Sequence, residues 1–99
     1  MNVSFHPEAK TEMFESAVYY QDKSPGLGFD FINDIENTII DVERFPFSGV
    51  LIEDGIRRKL VRKFPFAVLY KINGIEIYIL AIMHLNKKPE YWKNRNVDK

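Results

Sequence analysis

The sequence contains no cysteine, which excludes disulfides and thiolate chemistry. It has only two histidines, His6 and His84, so we expect no structural zinc site and no other metal or cofactor. No stretch approaches the roughly 20 consecutive apolar residues that span a bilayer. The first residues, MNVSFHPEAK, also lack the basic and apolar regions of a signal peptide. We therefore expect a cytoplasmic protein that does not act at a membrane.

The 99 residues, 45% of them hydrophobic and 14% aromatic, are enough for one core, which predicts a single domain over residues 1–99. The net charge is zero, but it is unevenly divided. Residues 1–56 carry three basic and eleven acidic side chains, whereas residues 57–99 carry eleven basic and three acidic ones. Either the two halves simply attract each other, or the basic half faces an anionic partner such as nucleic acid or an acidic protein segment.

The acidic half predicts a short strand followed by two helices. Residues 2–6 form the candidate strand, and Pro7 suits the first position of a helix because its missing N–H has no partner there. Apolar residues at spacings of three and four then predict helices over residues 7–23 and 28–44. The proline and glycines of residues 24–28 break the pattern between them. Helices joined by so short a break are expected to pack as an antiparallel hairpin.

The basic half changes to a period of two, which predicts strands. Residues 46–56 form a connecting loop with a short extended piece at 50–52, and RRKLVRKF begins the first strand at Arg57. FAVLYKI and IEIYILAIMH then flank Asn73-Gly74, a dipeptide typical of a two-residue type I′ hairpin turn. The predicted fold class is α+β: an N-terminal strand, a helical hairpin and an antiparallel sheet of at least three strands.

The predicted turn sorts the hairpin side chains onto two faces. If Ile72 faces Ile75, then Lys71 pairs with Glu76. The face toward the helices then carries Phe66, Val68, Tyr70, Ile72, Ile75, Ile77, Ile79, Ala81 and Met83. The opposite face carries Leu69, Lys71, Glu76, Tyr78, Leu80, Ile82 and His84. This second face is too apolar to lie open in water, so the C-terminal tail, a partner, or both should cover it.

The order of these elements, with the motifs of residues 57–95, resembles the RelE/ParE superfamily of toxins from bacterial type II toxin–antitoxin systems. The motifs are a basic strand, the aromatic-flanked proline in Phe64-Pro65-Phe66, Tyr70, and His84 followed by Pro89, Tyr91, Trp92 and Arg95. The resemblance covers nearly the whole chain in element order. It implies a small α+β protein that inhibits growth and is neutralised by a cognate antitoxin.

The resemblance leaves three functions open. ParE-like relatives poison DNA gyrase, RelE-like relatives cut messenger RNA on the ribosome, and a third possibility is a non-toxic member that only binds an antitoxin. The long helical hairpin and the absence of a strand arginine favour the ParE type, and two positions depart from the nuclease pattern. Ribosome-dependent nucleases of this superfamily commonly have an arginine where this chain has Ala67, and the family usually has an arginine where this chain has Lys87. Lysine keeps the charge but lacks the bidentate guanidinium fork.

Each function implies its own site residues. In a nuclease, His84 would transfer a proton, Arg62 would stabilise charge, Tyr91 would stack on a base or donate a proton, and Glu53 is a weaker candidate base. The residues expected to bind a target or nucleic acid are Arg58, Lys59, Lys87, Lys88, Trp92 and Arg95. An acidic antitoxin segment is expected to lie against Leu69, Tyr78, Leu80 and Ile82. The structural alternatives are a packed His84 and a Tyr91–Trp92 pair that caps the second face.

Overall fold

The computed structural model describes residues 1–88 and 90–96; Pro89 of the proposed family motif lies outside them. The elements are β1 (Asn2–Phe5), α1 (Pro7–Lys23), α2 (Leu27–Arg44), β2 (Val50–Glu53), β3 (Ile56–Leu60), β4 (Phe66–Asn73), β5 (Glu76–His84) and a final 3-10 turn (Lys93–Arg95). None of the helices in the described ranges is long and apolar enough to cross a membrane.

The strands form one mixed sheet in the order β1-β5-β4-β3-β2. The four strands that follow the helices are antiparallel to their neighbours, whereas β1 pairs with β5 in parallel, from Asn2 opposite Glu76 to Phe5 opposite Ile79. This arrangement confirms the predicted α+β class with its N-terminal strand, helical hairpin and antiparallel sheet. The predicted extended piece at residues 50–52 is β2, which forms one edge of the sheet.

The tight connection between the helices depends on two residues. The side-chain oxygen of Gln21 accepts hydrogen bonds from the backbone N–H groups of Gly26 and Gly28 at the start of α2. Gly28 also lies against α1, where a Cβ atom would come within 2.5 Å of the carbonyl oxygen of Ala17. A larger residue at position 28 would therefore push the two helices apart.

The helical hairpin covers one face of the sheet through a cluster of aromatic rings. Phe31 of α2 is fully buried, and its ring centroid lies 5.4 Å from that of Tyr20, 5.3 Å from Phe64 and 4.8 Å from Phe66. The rings of Phe64 and Phe66 meet Phe31 edge-on, an arrangement that aromatic pairs favour. The helix-side core therefore joins both helices to the start of β4.

The predicted turn between β4 and β5 is wrong by one residue. Asn73 is paired with Glu76, so Gly74 and Ile75 are the two central residues, and Ile72 faces Ile77 instead of Ile75. Gly74 has a φ of 64°. A positive φ at the first central position is what a type II′ turn requires, and glycine supplies it without steric cost.

A β-bulge reverses the predicted faces at the end of β5. Tyr70 is paired with Ile79 and Leu69 with Ala81, so Leu80 is an extra residue without a partner on β4. After this bulge the alternation shifts by one residue. Ile82 belongs to the helix-side core, and Ala81 packs on the second face. The predicted placement of Ile82 and His84 on the second face, and of Ala81 and Met83 toward the helices, is therefore wrong.

The second face is covered by the chain's own C-terminal residues. Trp92 is buried there in a cluster with Ile56, Leu69, Tyr78, Leu80 and Ala81, and Tyr91 and Met83 pack against its margin. Beyond the tryptophan, Lys93 forms an ion pair with Glu53 at the end of β2 (3.2 Å). Residues 90–96, here called the C-terminal segment, thus supply the cover that the apolar second face requires.

Candidate functional site

Glu12 of α1 holds the C-terminal segment against the end of β5. Its carboxylate accepts hydrogen bonds from both terminal nitrogens of Arg95 (3.0 Å each) and from the Tyr91 hydroxyl (2.7 Å). Arg95 is only 7% exposed. Bidentate pairs of a guanidinium and a carboxylate are among the strongest side-chain hydrogen bonds. We call Glu12, Tyr91 and Arg95 the C-terminal clamp.

The clamp also replaces a missing strand. β1 pairs with β5 from Glu76 to Ile79, and beyond that point no strand among the described residues lies along the outer edge of β5. There the carbonyl oxygen of Leu80 accepts a hydrogen bond from Arg95 (3.3 Å), and the backbone N–H of Ile82 donates to Glu12 (3.0 Å). Because unpaired buried backbone groups are costly, these side chains allow β5 to extend past its neighbour.

The clamp shifts the pKa values of its members. Burial raises the pKa of the Tyr91 hydroxyl, and its hydrogen bond to the Glu12 carboxylate raises that pKa further. Burial by itself would lower the pKa of Arg95, but its hydrogen bonds with Glu12 and the charge of that carboxylate outweigh burial and raise it. Tyr91 is therefore a poor proton donor in this state, and its hydroxyl already has an acceptor.

A cleft lies beside the clamp between α1 and the end of β5. Two adjoining cavities of about 430 and 150 Å³ form it, and both are lined by Glu15, Ser16, Phe66 and His84. The remaining lining residues are Glu12, Tyr19, Tyr20, Ile82, Lys87 and Tyr91. This space, the His84 cleft, brings together His84 and Tyr91, two of the three predicted nuclease residues. Its two carboxylates, Glu12 and Glu15, disfavour a bound phosphate.

The environment of His84 is that of a turn-capping residue. Its ring lies edge-on to Phe66, with centroids 4.9 Å apart, and its Nδ1 atom accepts a hydrogen bond from the backbone N–H of Asn86 (3.0 Å). The Nδ1 atom of His84 is therefore already engaged by the backbone of the turn. His6 makes the same contact two residues along, with the N–H of Glu8 at the start of α1 (3.1 Å).

Arg62 lies apart from the His84 cleft, on the side of α2. Its guanidinium forms an ion pair with Asp41 (3.1 Å), and together with Lys63 it lines a groove along α2 that His84 does not reach. The buried carboxylate of Asp34 fixes this part of the chain by accepting the backbone N–H groups of residues 62–64 (2.7–3.3 Å). The three predicted nuclease residues therefore do not converge on one site.

The residues predicted to bind a target divide into exposed and buried groups. Arg58, Lys87 and Lys88 are exposed, and the Lys87 ammonium lies 5.6 Å from the ring centre of Tyr91. Lys59 donates a hydrogen bond to the Ser48 hydroxyl (3.0 Å). Trp92 and Arg95 are buried in the C-terminal segment. A role of these residues in binding stays a prediction, and for Trp92 and Arg95 it would require that segment to move.

The residues predicted to contact an antitoxin are all buried in the free chain. Leu69, Tyr78 and Leu80 lie beneath the C-terminal segment, and Ile82 lies in the helix-side core because of the bulge. Glu53, the weaker candidate base, is paired with Lys93 at the opposite end of the second face. An antitoxin that binds this surface would have to displace the C-terminal segment, so this prediction also remains untested.

Two structural residues were missed because they are acidic side chains in apolar helix stripes. Asp34 stands three residues after Phe31 and four before Thr38, both buried, and Glu12 stands three residues after the buried Ala9. An acidic residue at a core spacing signals a buried hydrogen-bond acceptor. Within residues 1–88 and 90–96, no three or more metal-ligating side chains are grouped in a way that could hold an ion.

The helical hairpin packed on a mixed sheet, with a C-terminal segment on the other face, defines a RelE/ParE-like fold. No protein-family model and no curated protein sequence matches the chain. Among solved structures, a chain of the chromosomal ParDE TA (toxin–antitoxin) system from P. aeruginosa is similar, with a TM-score of 0.76 and 19% sequence identity. The match covers 87% of this chain and 97% of the other. It confirms the fold expected from the resemblance.

Proposed function

We propose that this chain is the toxin component of a toxin–antitoxin system, that it acts in the cytoplasm by binding a protein target, and that a cognate antitoxin neutralises it. The observation that carries the proposal is the structural likeness to a chain of a ParDE TA system over nearly the full length of both chains. A fold alone does not define an activity. The function therefore has to be argued from the groups that the fold displays.

Those groups favour binding over RNA cleavage. A metal-free ribonuclease needs a base, an acid and a cation around one phosphate. Here the Arg62 guanidinium pairs with Asp41 of α2, whereas His84 caps the turn after β5 and lines a cleft beside α1. The Tyr91 hydroxyl and the Arg95 guanidinium are both bound to Glu12. This arrangement supports a ParE-like toxin, for which DNA gyrase is the target we propose.

The division of charge supports an acidic antitoxin as the partner. Arg58, Lys87 and Lys88 are exposed cations of the basic half of the chain. They are available to carboxylates of a second protein, since they form no ion pair with other described residues. Opposite charges on two partners accelerate association and select against wrong partners.

Inducible expression of the chain in a bacterial host tests the function. The measurements are colony counts, the supercoiling of a reporter plasmid, and the integrity of ribosome-bound transcripts after induction. Growth arrest with loss of negative supercoiling and intact transcripts is the expected result. Cleavage within codons on ribosomes would contradict it, and normal growth at high abundance of folded protein would indicate a non-toxic, antitoxin-binding protein.

One observation favours the nuclease as a second candidate. His84, Lys87 and Tyr91 all line the smaller cavity of the His84 cleft. If that cleft cuts RNA, His84→Ala will abolish transcript cleavage while the protein stays folded. If the chain is a gyrase-binding toxin, the same variant will remain toxic at equal abundance.

A further inference from the structure

The loop of residues 45–49 displays two large apolar side chains to solvent. Phe45 and Phe47 are 66% and 71% exposed. Single exposed apolar residues are common on protein surfaces. These two, however, stand next to further exposed apolar side chains of β2, namely Val50, Leu51 and Ile52. We call residues 45–52 the Phe loop and edge.

The loop is held in place by buried polar groups. The side chain of Tyr70 is fully buried. Its hydroxyl donates a hydrogen bond to the carbonyl oxygen of Pro46 (2.6 Å) and accepts one from the N–H of Gly49 (3.0 Å). A Cβ atom at Gly49 would lie 2.6 Å from that hydroxyl, so only glycine fits. The loop thus has one shape before any partner arrives.

Arg57 fixes the exposed ring itself. Its guanidinium donates to the carbonyl oxygens of Phe47 (3.2 Å) and Gly49 (2.8 Å) and lies 5.0 Å from the centre of the Phe47 ring. An aromatic side chain that is exposed but already ordered loses little conformational entropy on binding. Such aromatic anchors dominate the energetics of many interfaces.

The adjoining strand offers backbone groups as well. β2 is the last strand of the sheet, and its only neighbour among the described residues is β3. Exposed edge strands accept a further strand through their free N–H and C=O groups. Natural edges are protected by lysine or proline, by short length or by bulges. The sequence of β2, VLIE, has no lysine or proline, while the strand is four residues long and its pairing with β3 is irregular between Leu51 and Glu53.

The charges next to this edge select the incoming strand. β3 carries Arg57, Arg58 and Lys59 in succession, so cations occupy both faces of the sheet one strand away from the edge. A second copy of β2 would bring a second set of these cations into the same sheet with Glu53 as its only acid. An acidic extended segment is therefore favoured over self-association.

We propose that the Phe loop and edge is a docking site for an extended segment of alternating apolar and acidic residues, which adds to the sheet as a strand beside β2. Its apolar side chains pack on Phe47 and Leu51, on the face that carries Arg57, and its carboxylates lie on the opposite face, toward Arg58. If the proposed function holds, this segment belongs to the antitoxin. The site would then leave the His84 cleft and the C-terminal segment undisturbed.

Selection from a phage-displayed library of random dodecapeptides on the intact chain tests this site. We expect enriched peptides to alternate apolar and acidic residues. Phe47→Ser should weaken their binding at least tenfold. The matched control is Phe29→Ser, because Phe29 on α2 is also 71% exposed but lies in the groove between the helices. Amide hydrogen exchange should show new protection at residues 50–53 when peptide binds.

Several results would overturn the proposal. These are a failure to enrich any peptide, peptides without acidic residues, binding that Phe29→Ser weakens and Phe47→Ser does not, or a wild-type dimer that Phe47→Ser dissociates in sedimentation equilibrium. The growth assay separates this outcome from the proposed function, since peptide binding requires no toxicity. Growth arrest without Phe47-dependent peptide binding would rule out the docking site but not the toxin function. Specific peptide binding without growth arrest would rule out the toxin function but not the docking site.

Discussion

The two faces of the sheet are covered by very different means. Helices of 17 and 18 residues cover one face through a cluster of aromatic rings. Within residues 1–88 and 90–96, only the C-terminal segment covers the other, with one buried tryptophan and a set of hydrogen bonds to Glu12. Apolar packing over a large area is cooperative, so we expect a short segment held by Trp92, by Glu12 and by the Lys93–Glu53 ion pair to open at a lower free energy than the helix side. We therefore expect the helix side to be the more stable side of the sheet, and the cover of the second face to open first.

The largest expected effect is on the helix side. Phe31→Ala removes a fully buried ring that contacts Tyr20, Phe64 and Phe66, so we expect the free energy of unfolding to fall by about 4 kcal/mol. Urea unfolding followed by far-UV circular dichroism measures this change. Phe29→Ala, at an exposed position of the same helix, should change stability by less than about 0.5 kcal/mol. Equal effects of the two variants would contradict the assignment of the core.

Glu12→Ala tests the cover of the second face. It removes the bidentate partner of the buried Arg95, which keeps only the more distant carboxylate of Glu8 (3.8 Å), and loss of one member of a buried ion pair costs about 3 kcal/mol at the lower end of the usual range. The lower end applies because the Glu12 side chain is 19% exposed, so water partly solvates its carboxylate. Glu15→Ala, which removes an exposed carboxylate one turn along the same helix, is the control.

The only tryptophan of the chain reports on this effect directly, because Trp92 is buried under the C-terminal segment. In Glu12→Ala we expect its fluorescence to shift to the red at urea concentrations where the helical circular dichroism is still native. Coincident transitions by both probes would show that the two faces unfold as one unit.

The parts of this fold that were predictable from sequence are those fixed by local chemistry. The ends of α1 follow from Pro7 and the apolar spacing, and the faces of β4 follow from strict alternation. The bulge at Leu80 has no glycine or other local signal, and it alone moved His84 to the helix side. The parallel pairing of β1 and the Glu12–Arg95 pair join residues more than 70 positions apart, so no local pattern encodes them.

The site was less predictable than the fold for the same reason. The types of His84, Arg62 and Tyr91 suggested proton transfer and charge stabilisation, but their function depends on neighbours that the sequence does not place. Asp41 pairs with Arg62, Glu12 accepts from Tyr91, and the N–H of Asn86 donates to His84. Only the assembled structure shows that each of these groups already has a partner.

The pH dependence of stability tests how much the Tyr91 hydroxyl contributes to the cover of the second face. Its pKa in the folded protein is raised above the ordinary value of 10.0, so the folded state holds the phenolic proton more tightly than the unfolded chain does. The resulting stabilisation is fully present below pH 10 and is lost as the pH rises through the folded-state pKa.

Wild type should therefore exceed Tyr91→Phe in stability by about 1.5 kcal/mol at pH 8, as expected for a hydrogen bond to a charged group. This difference should shrink as urea unfolding is repeated at increasing pH above 10. A stability difference that stays constant up to pH 11 would show that ionisation of the Tyr91 hydroxyl does not affect the free energy of unfolding.

The smallest expected effect is at His84, and it decides how the His84 cleft is interpreted. His84→Ala removes an acceptor for the N–H of Asn86 at an exposed turn, where water can replace it, so stability should fall by less than about 1 kcal/mol. His6→Ala, which removes the equivalent cap from α1, is the matched control and should cost a similar amount. Because a capping residue contributes only through the turn, both variants should arrest growth as the wild type does when their abundance is equal. Loss of toxicity in His84→Ala alone, with its stability and abundance unchanged, would mean that the imidazole acts on a substrate and that the His84 cleft, on the helix side of the sheet, is a catalytic centre.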